Sequence, residues 1–155
     1  MAELKEGDAA PQFTAKDQHG NSVSLSDFAG KTVILYFYPK DDTPGCTAEA
    51  CNFRDNYHRL QLEGYVVLGV STDDEKSHKK FSTKYELPFT LLSDDDKQIV
   101  EAYGVWVEKN MYGKKSMGTA RKTFVISADQ TISKIINKVN SADASQQVLD
   151  LISES

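Results

Sequence analysis

The sequence of 155 residues is sparing with cysteine, which occurs twice, and with tryptophan, which occurs once. Two thiols are too few for a disulfide framework, and in a chain without a secretory pattern they read as catalytic or redox-active. No apolar run approaches the ~18 residues that a membrane span needs. Met1-Ala-Glu-Leu-Lys-Glu6 also lacks the charged, apolar and small-residue order of a signal peptide. The expectation is a cytoplasmic protein with no membrane partner. Eighteen Lys and Arg stand against 23 Asp and Glu, a net charge of −5 with no basic block, which argues against nucleic acid. No nucleotide, flavin, haem or metal motif is visible, so no cofactor is expected. Repeats, low-complexity segments and interior domain boundaries are also missing, and residues 1–155 read as one domain large enough for a real core.

Both cysteines fall in one stretch, Phe37-Tyr-Pro-Lys-Asp-Asp-Thr-Pro-Gly-Cys46-Thr-Ala-Glu-Ala-Cys51. Before it, Thr32–Tyr38 is mostly β-branched or aromatic and predicts a buried strand. Pro39 ends that strand because proline has no N–H for a sheet ladder. Asp41, Asp42, Pro44 and Gly45 are turn formers. From about Thr43 or Gly45 the spacing predicts a helix with Phe53, Tyr57, Leu60 and Leu62 on its apolar stripe and Gly64 at its end. Cys46 then sits in the first helical turn, where backbone N–H groups lack intrahelical partners and the helix dipole favours an anion by ~0.3–1 kcal/mol. Sites of this kind lower a thiol from its usual ~8.5 to below ~7.5. Thr43, three residues earlier, is placed to reach the sulfur or a bound oxygen, and Pro39 to shield one side from water. The alternative is a small buried core cysteine, which suits a loop–helix junction poorly.

The pattern Pro39-x-x-x-Thr43-x-x-Cys46 resembles the active site of the peroxiredoxin family. The longer string Asp41-Asp-Thr-Pro-Gly-Cys-Thr-Ala-Glu49, followed by Phe53-Arg-Asp55, is similar to the bacterioferritin-comigratory, or Q-type, branch. Gly118-Thr-Ala-Arg121-Lys-Thr-Phe-Val-Ile126 looks like the segment that supplies that family's distant active-site arginine, which assigns the role to Arg121. The resemblance implies a thioredoxin-like α/β fold, with a central mixed sheet flanked by helices and an N-terminal β-hairpin. It also implies a peroxidase in which Cys46 attacks a hydroperoxide and becomes a sulfenic acid, while Thr43, the Cys46 N–H and Arg121 hold the peroxide oxygens. Cys51 would resolve the sulfenic acid as an intrachain disulfide, and thioredoxin or a similar dithiol would reduce it. Family members are often monomeric, and no assembly seam is evident in this chain.

Geometry sets a condition on Cys51. Five residues of unbroken helix separate Cα atoms by ~7.5 Å of rise and ~140° of rotation, or ~8.6 Å in all. A disulfide needs less than ~7 Å. Resolution by Cys51 therefore requires the first turns of the helix to come undone, and Pro44-Gly45 marks where they loosen.

Elsewhere, Phe13–Lys16 and Ser22–Leu25 predict two short strands around the turn Asp17–Asn21. Tyr65–Ser71 reads as a second buried strand, Lys76–Tyr85 as a helix, Pro88–Leu92 as a strand and Gln98–Tyr103 as a helix. Gly104–Gly118, with Trp106 and three lysines, reads as a long loop that either covers the site or packs Trp106. Thr123–Ser127 and Thr131–Val139 predict a hairpin, and Ser141-Ala-Asp143 caps a final helix with Val148, Leu149 and Ile152 inward. His19, His58 and His78 read as solvated, and Asp94-Asp-Asp96 as a solvated loop and helix start rather than a metal site.

Two other readings of the thiols compete. A thioredoxin-like thiol-disulfide oxidoreductase would want Cys-x-x-Cys, whereas four residues separate Cys46 from Cys51. A metal site of Cys46, Cys51 and His58 lacks a fourth ligand and a shared face.

Overall fold

The structure, a computed structural model, describes residues 3–153; Met1, Ala2, Glu154 and Ser155 lie outside the described residues. In chain order come β1 (Thr14–Asp17), β2 (Ser22–Ser24), β3 (Thr32–Phe37), α1 (Pro44–Asp55), α2 (Tyr57–Leu62), β4 (Tyr65–Ser71) and α3 (Glu75–Lys84). They are followed by β5 (Thr90–Ser93), α4 (Gln98–Ala102), β6 (Trp106–Met111), β7 (Lys114–Thr119), β8 (Lys122–Ile126), β9 (Ile132–Ile136) and α5 (Ala144–Ser153). Seven strands form one sheet in the order β2-β1-β5-β4-β3-β8-β9. The neighbours β3, β4 and β5 run parallel, and the remaining pairings are antiparallel. The sheet is therefore mixed, with the N-terminal hairpin at one edge, as expected.

The central strand is buried on both faces, which is why its sequence is continuously apolar. Val33, Leu35 and Phe37 point to one side and pack with Leu68, Val70, Tyr103 and Phe124. Ile34, Tyr36 and Tyr38 point to the other and pack with Ala50, Phe53, Leu60, Phe81 and Val148 from the helices. Alternation of side chains along a strand sends successive residues to opposite cores. Each fully buried large side chain contributes about 1.5–3 kcal/mol. Gly69 makes room in this layer, because a Cβ there would lie 2.8 Å from the Tyr36 ring.

Three expectations need correction. The helix after the loop is two helices, α1 and α2, divided at Asn56, whose side chain donates to the Asn52 carbonyl at 2.9 Å. Leu62 is consequently turned outward and is 75% exposed. Gly104–Gly118 is mostly a β-hairpin rather than a loop, with Trp106 paired to Thr119 and Met111 to Lys114. Its turn, Tyr112-Gly113, has φ of 56° and 78°, the left-handed pair that a two-residue hairpin uses. Finally, His78 and Asp94 are buried, not solvated. Asp94 accepts the N–H groups of Ile99 and Val100 at 3.0 and 2.7 Å and so ties down the start of α4. His78 is three residues before the core residue Phe81, on the inward face of α3.

The far half of α1 is fastened to the C-terminal segment. Asn52 donates to the Ala142 carbonyl at 3.0 Å, and its amide oxygen accepts the Ser145 N–H at 2.8 Å.

Candidate active site

β3 delivers the chain to Pro39, and the loop turns at Asp42, whose φ is 58°. Thr43 is the N-cap of α1, Pro44 follows as the first helical residue, and Cys46 falls in the first turn. The first intrahelical bond beginning at the cap runs from Thr47 N to Thr43 O at 2.8 Å, so the N–H groups of Gly45 and Cys46 precede it. Thr43 does not use its hydroxyl as a cap; the hydroxyl donates to the Lys40 carbonyl at 3.0 Å. That bond uses the hydroxyl proton and leaves the oxygen to act as an acceptor. Pro39, four residues before Thr43, is half-buried.

Arg121 arrives from the short link between β7 and β8. Its Nη2 donates to Cys46 Sγ at 3.1 Å and its Nη1 to Glu49 Oε1 at 2.8 Å. Cys46 is 1% exposed. Gly45 lets the guanidinium come this close: a Cβ there would stand 3.1 Å from the same Nη2. Burial alone would lower the Arg121 pKa, but the bond to Cys46 and the charges of Cys46 and Glu49 raise it above the ordinary arginine value. The cation is therefore fixed at the sulfur.

Glu49 and Lys109 were not assigned roles from sequence. Glu49 lies one helical turn beyond Cys46 and is fully buried, with Oε2 lacking a hydrogen-bond partner among the described residues. Burial pushes its carboxyl up to about 7, against the opposing pull of Arg121. Lys109, on β6, donates to the Thr119 carbonyl at 2.6 Å, and burial and the nearby Arg121 lower its pKa. The hairpin thus stands beside the arginine. Tyr36 lies beneath the site, with its hydroxyl buried and pushed well above the usual phenol value by desolvation and then by the charge of Glu49.

Glu49 carries a prediction. A carboxyl raised from 4.5 to about 7 binds protons more tightly folded than unfolded. Its contribution to stability is complete below pH 4.5 and is lost as pH rises to about 7. Between pH 5 and pH 8 the native protein should lose about 2.5 kcal/mol more stability than Glu49→Gln. Urea denaturation across that range measures the difference, and parallel pH profiles would contradict it.

Cys51 is half-buried and, like Cys46, is a free thiol. Both lie on the continuous helix α1, so the spacing of ~8.6 Å expected of helical geometry applies. The structure thus brings Thr43, Cys46 and Arg121 to one helix end and leaves Cys51 apart from them. His58 is exposed, in keeping with a solvated residue. No helix is long and apolar enough to cross a membrane among the described residues.

Comparison with known proteins places this arrangement. Residues 6–135 match the AhpC/TSA family. The putative peroxiredoxin bcp of Coxiella burnetii is 54% identical over 136 residues, 88% of this chain and 90% of that protein. Peroxiredoxin Bcp of Escherichia coli is 45% identical over 154 residues, 99% of each. Among solved structures, a cysteine-to-serine mutant of Xylella fastidiosa PrxQ superposes with a TM-score of 0.93 at 30% identity, over 99% of this chain and 98% of that one. The Xanthomonas campestris bacterioferritin comigratory protein, studied for alkyl peroxide reduction, gives a TM-score of 0.86 at 37% identity, over 92% and 90%. The thioredoxin-like fold expected from the resemblance is the fold observed. The chain therefore belongs to the AhpC/TSA family as a peroxiredoxin of its Bcp, or Q-type, branch, a thiol-dependent peroxidase.

Proposed function

We propose that Cys46 is the peroxidatic thiol and Cys51 the resolving one. The observation that carries this reading is the guanidinium of Arg121 held 3.1 Å from Cys46 Sγ at the open N-terminal turn of α1. Cys46 reacts as the thiolate. Its sulfur attacks the terminal oxygen of a hydroperoxide, the S–O bond forms and the O–O bond breaks. Sulfur is oxidised to a sulfenic acid, and the departing alkoxide or hydroxide takes a proton to leave as alcohol or water. Arg121 and the Cys46 N–H stabilise charge as it moves from sulfur to the leaving oxygen. Thr43, whose own proton goes to Lys40 O, accepts the proton-bearing end of the peroxide.

The first turns of α1 then unwind. The Cys51 thiolate attacks the sulfenic sulfur, the disulfide forms, and hydroxide leaves and is protonated to water. Thioredoxin, or another dithiol, reduces the disulfide by exchange and is itself oxidised. Hydrogen peroxide and organic hydroperoxides share the terminal oxygen that Cys46 attacks, and the alkyl peroxide activity of the Xanthomonas campestris relative supports the second class. The protein would act as a monomer in antioxidant defence in the cytoplasm, where thiols are kept reduced between turnovers.

Stopped-flow mixing of the reduced protein with hydrogen peroxide, followed by Trp106 fluorescence and by mass, tests the reading. The expected result is oxidation orders of magnitude faster than that of free cysteine, and a product lighter by two hydrogens. A rate no faster than free cysteine would overturn the assignment of Cys46. A fast step ending in an unresolved sulfenic acid would overturn that of Cys51. Insulin reduction without peroxide consumption would favour the oxidoreductase alternative.

A further inference from the structure

Behind the active-site loop lies a second buried polar cluster. The Asp41 carboxylate is its hub: Oδ1 accepts the Tyr38 hydroxyl at 2.6 Å, and Oδ2 accepts the Ser77 hydroxyl at 2.8 Å and faces His78 Nδ1 at 2.7 Å. His78 Nε2 faces the Leu92 carbonyl at 2.9 Å and must donate to it. One proton therefore lies between Nδ1 and Oδ2, whichever atom holds it. The Asp41 N–H donates to Asp73 Oδ2 at 2.8 Å, and the Ser71 hydroxyl holds that same oxygen at 2.7 Å. The side chains of His78 and Asp41 are 0% and 4% exposed. Asp41, Asp73 and His78 are close enough together to suggest a metal site. Both Asp41 oxygens, both His78 nitrogens and Asp73 Oδ2 are already committed to one another and to hydroxyl and backbone groups, which argues for a structural clamp instead.

The clamp grips one particular segment. Asp41 is two residues before the N-cap Thr43, and its partners are Tyr38, just past β3, Asp73, just past β4, and Ser77 and His78 on α3. Its neighbour Asp42 is gripped as well, by Lys84 Nζ and the Tyr85 hydroxyl, each at 2.7 Å. Asp41 and Asp42 are thus anchored to the body of the protein, while the helical segment that follows, Pro44–Cys51, is the part that must unwind for Cys46 to meet Cys51.

We propose that Asp41 and His78 are positioning residues. They hold the loop in the shape that seats Thr43 and the first turn of α1, and so bias that turn toward the wound form that reacts with peroxide and against the unwound form that makes the disulfide. The inference rests on the proposed roles of Cys46 and Cys51. Removing one partner leaves the other buried without a counterpart and frees the loop.

The test resolves the two chemical steps by stopped flow in the native protein, His78→Asn and Asp41→Asn, together with the peroxide dose that overoxidises Cys46. In the two variants the peroxide step should slow about tenfold, the disulfide step should be unchanged or faster, and overoxidation should need more peroxide. Tyr38→Phe keeps the ring and removes one bond to Asp41, so it decides the matter if the others fail to fold; the same pattern is expected at about threefold. Unchanged steps, or both steps slowed together, would overturn the proposal. The native protein, run alongside, separately decides whether Cys46 and Cys51 act as proposed.

Discussion

Cys46→Ser is expected to leave no measurable peroxide consumption, whereas Cys51→Ser should keep a fast first reaction and then fail. The two thiols occupy the same helix in different settings: Cys46 receives Nη2 of Arg121 at 3.1 Å, and Cys51 is half-buried further along. A serine hydroxyl at 46 offers neither the nucleophilicity nor the accessible anion of a thiol. Without Cys51 the sulfenic acid has no partner within the chain. Excess peroxide then carries it to the sulfinic acid, which thioredoxin does not reverse. Mass spectrometry after peroxide treatment distinguishes the outcomes. The native protein should lose two hydrogens, Cys51→Ser should gain two oxygens, and Cys46→Ser should be unaltered. Full thioredoxin-linked turnover in Cys51→Ser, with no sulfinic acid formed, would remove Cys51 from the reaction.

Arg121→Gln should slow the peroxide step by about a hundred- to a thousandfold, the effect of losing one preorganised donor in comparable sites, ~2.7–4 kcal/mol. Arginine does two things here. It donates to the sulfur and to Glu49 through separate nitrogens, so its plane is fixed before substrate arrives. Its charge also favours the thiolate. Glutamine supplies neither the charge nor the fork. Arg121→Lys keeps the charge without the fork and should fall between the two. The fold should tolerate the change, because Glu49, already pushed up to about 7, takes a proton once its cation is gone. Second-order rate constants from stopped flow measure the effect, and a loss of threefold or less in Arg121→Gln would show the guanidinium to be a bystander.

The parts of the structure legible in the sequence were those written in local signals. β3 announced itself by an uninterrupted apolar run, and the start of α1 by Thr-Pro-Gly ahead of a cysteine. Arg121 carries no local mark and was reached only through the family resemblance. The β6–β7 hairpin was hidden because most of its side chains face solvent, which removes the period-two alternation that betrays a strand. Glu49 looked like one more acid in a helical turn, and only the packing around it shows that it is dry. His78 was misread although a signal existed. Its spacing of three from Phe81 puts it on the inward face of α3, where a histidine needs polar company, and Asp41, distant in sequence, supplies it.

The amide of Asn52, which reaches both the Ala142 carbonyl and the Ser145 N–H, follows immediately after Cys51. If resolution unwinds α1, it would act as a stop on a zipper: fraying that begins at Pro44 would travel as far as the second sulfur and no farther while the C-terminal helix stays docked. Oxidation would then be written into a short, bounded piece of chain, and the rest of the molecule would present the same shape to its reductant in either state.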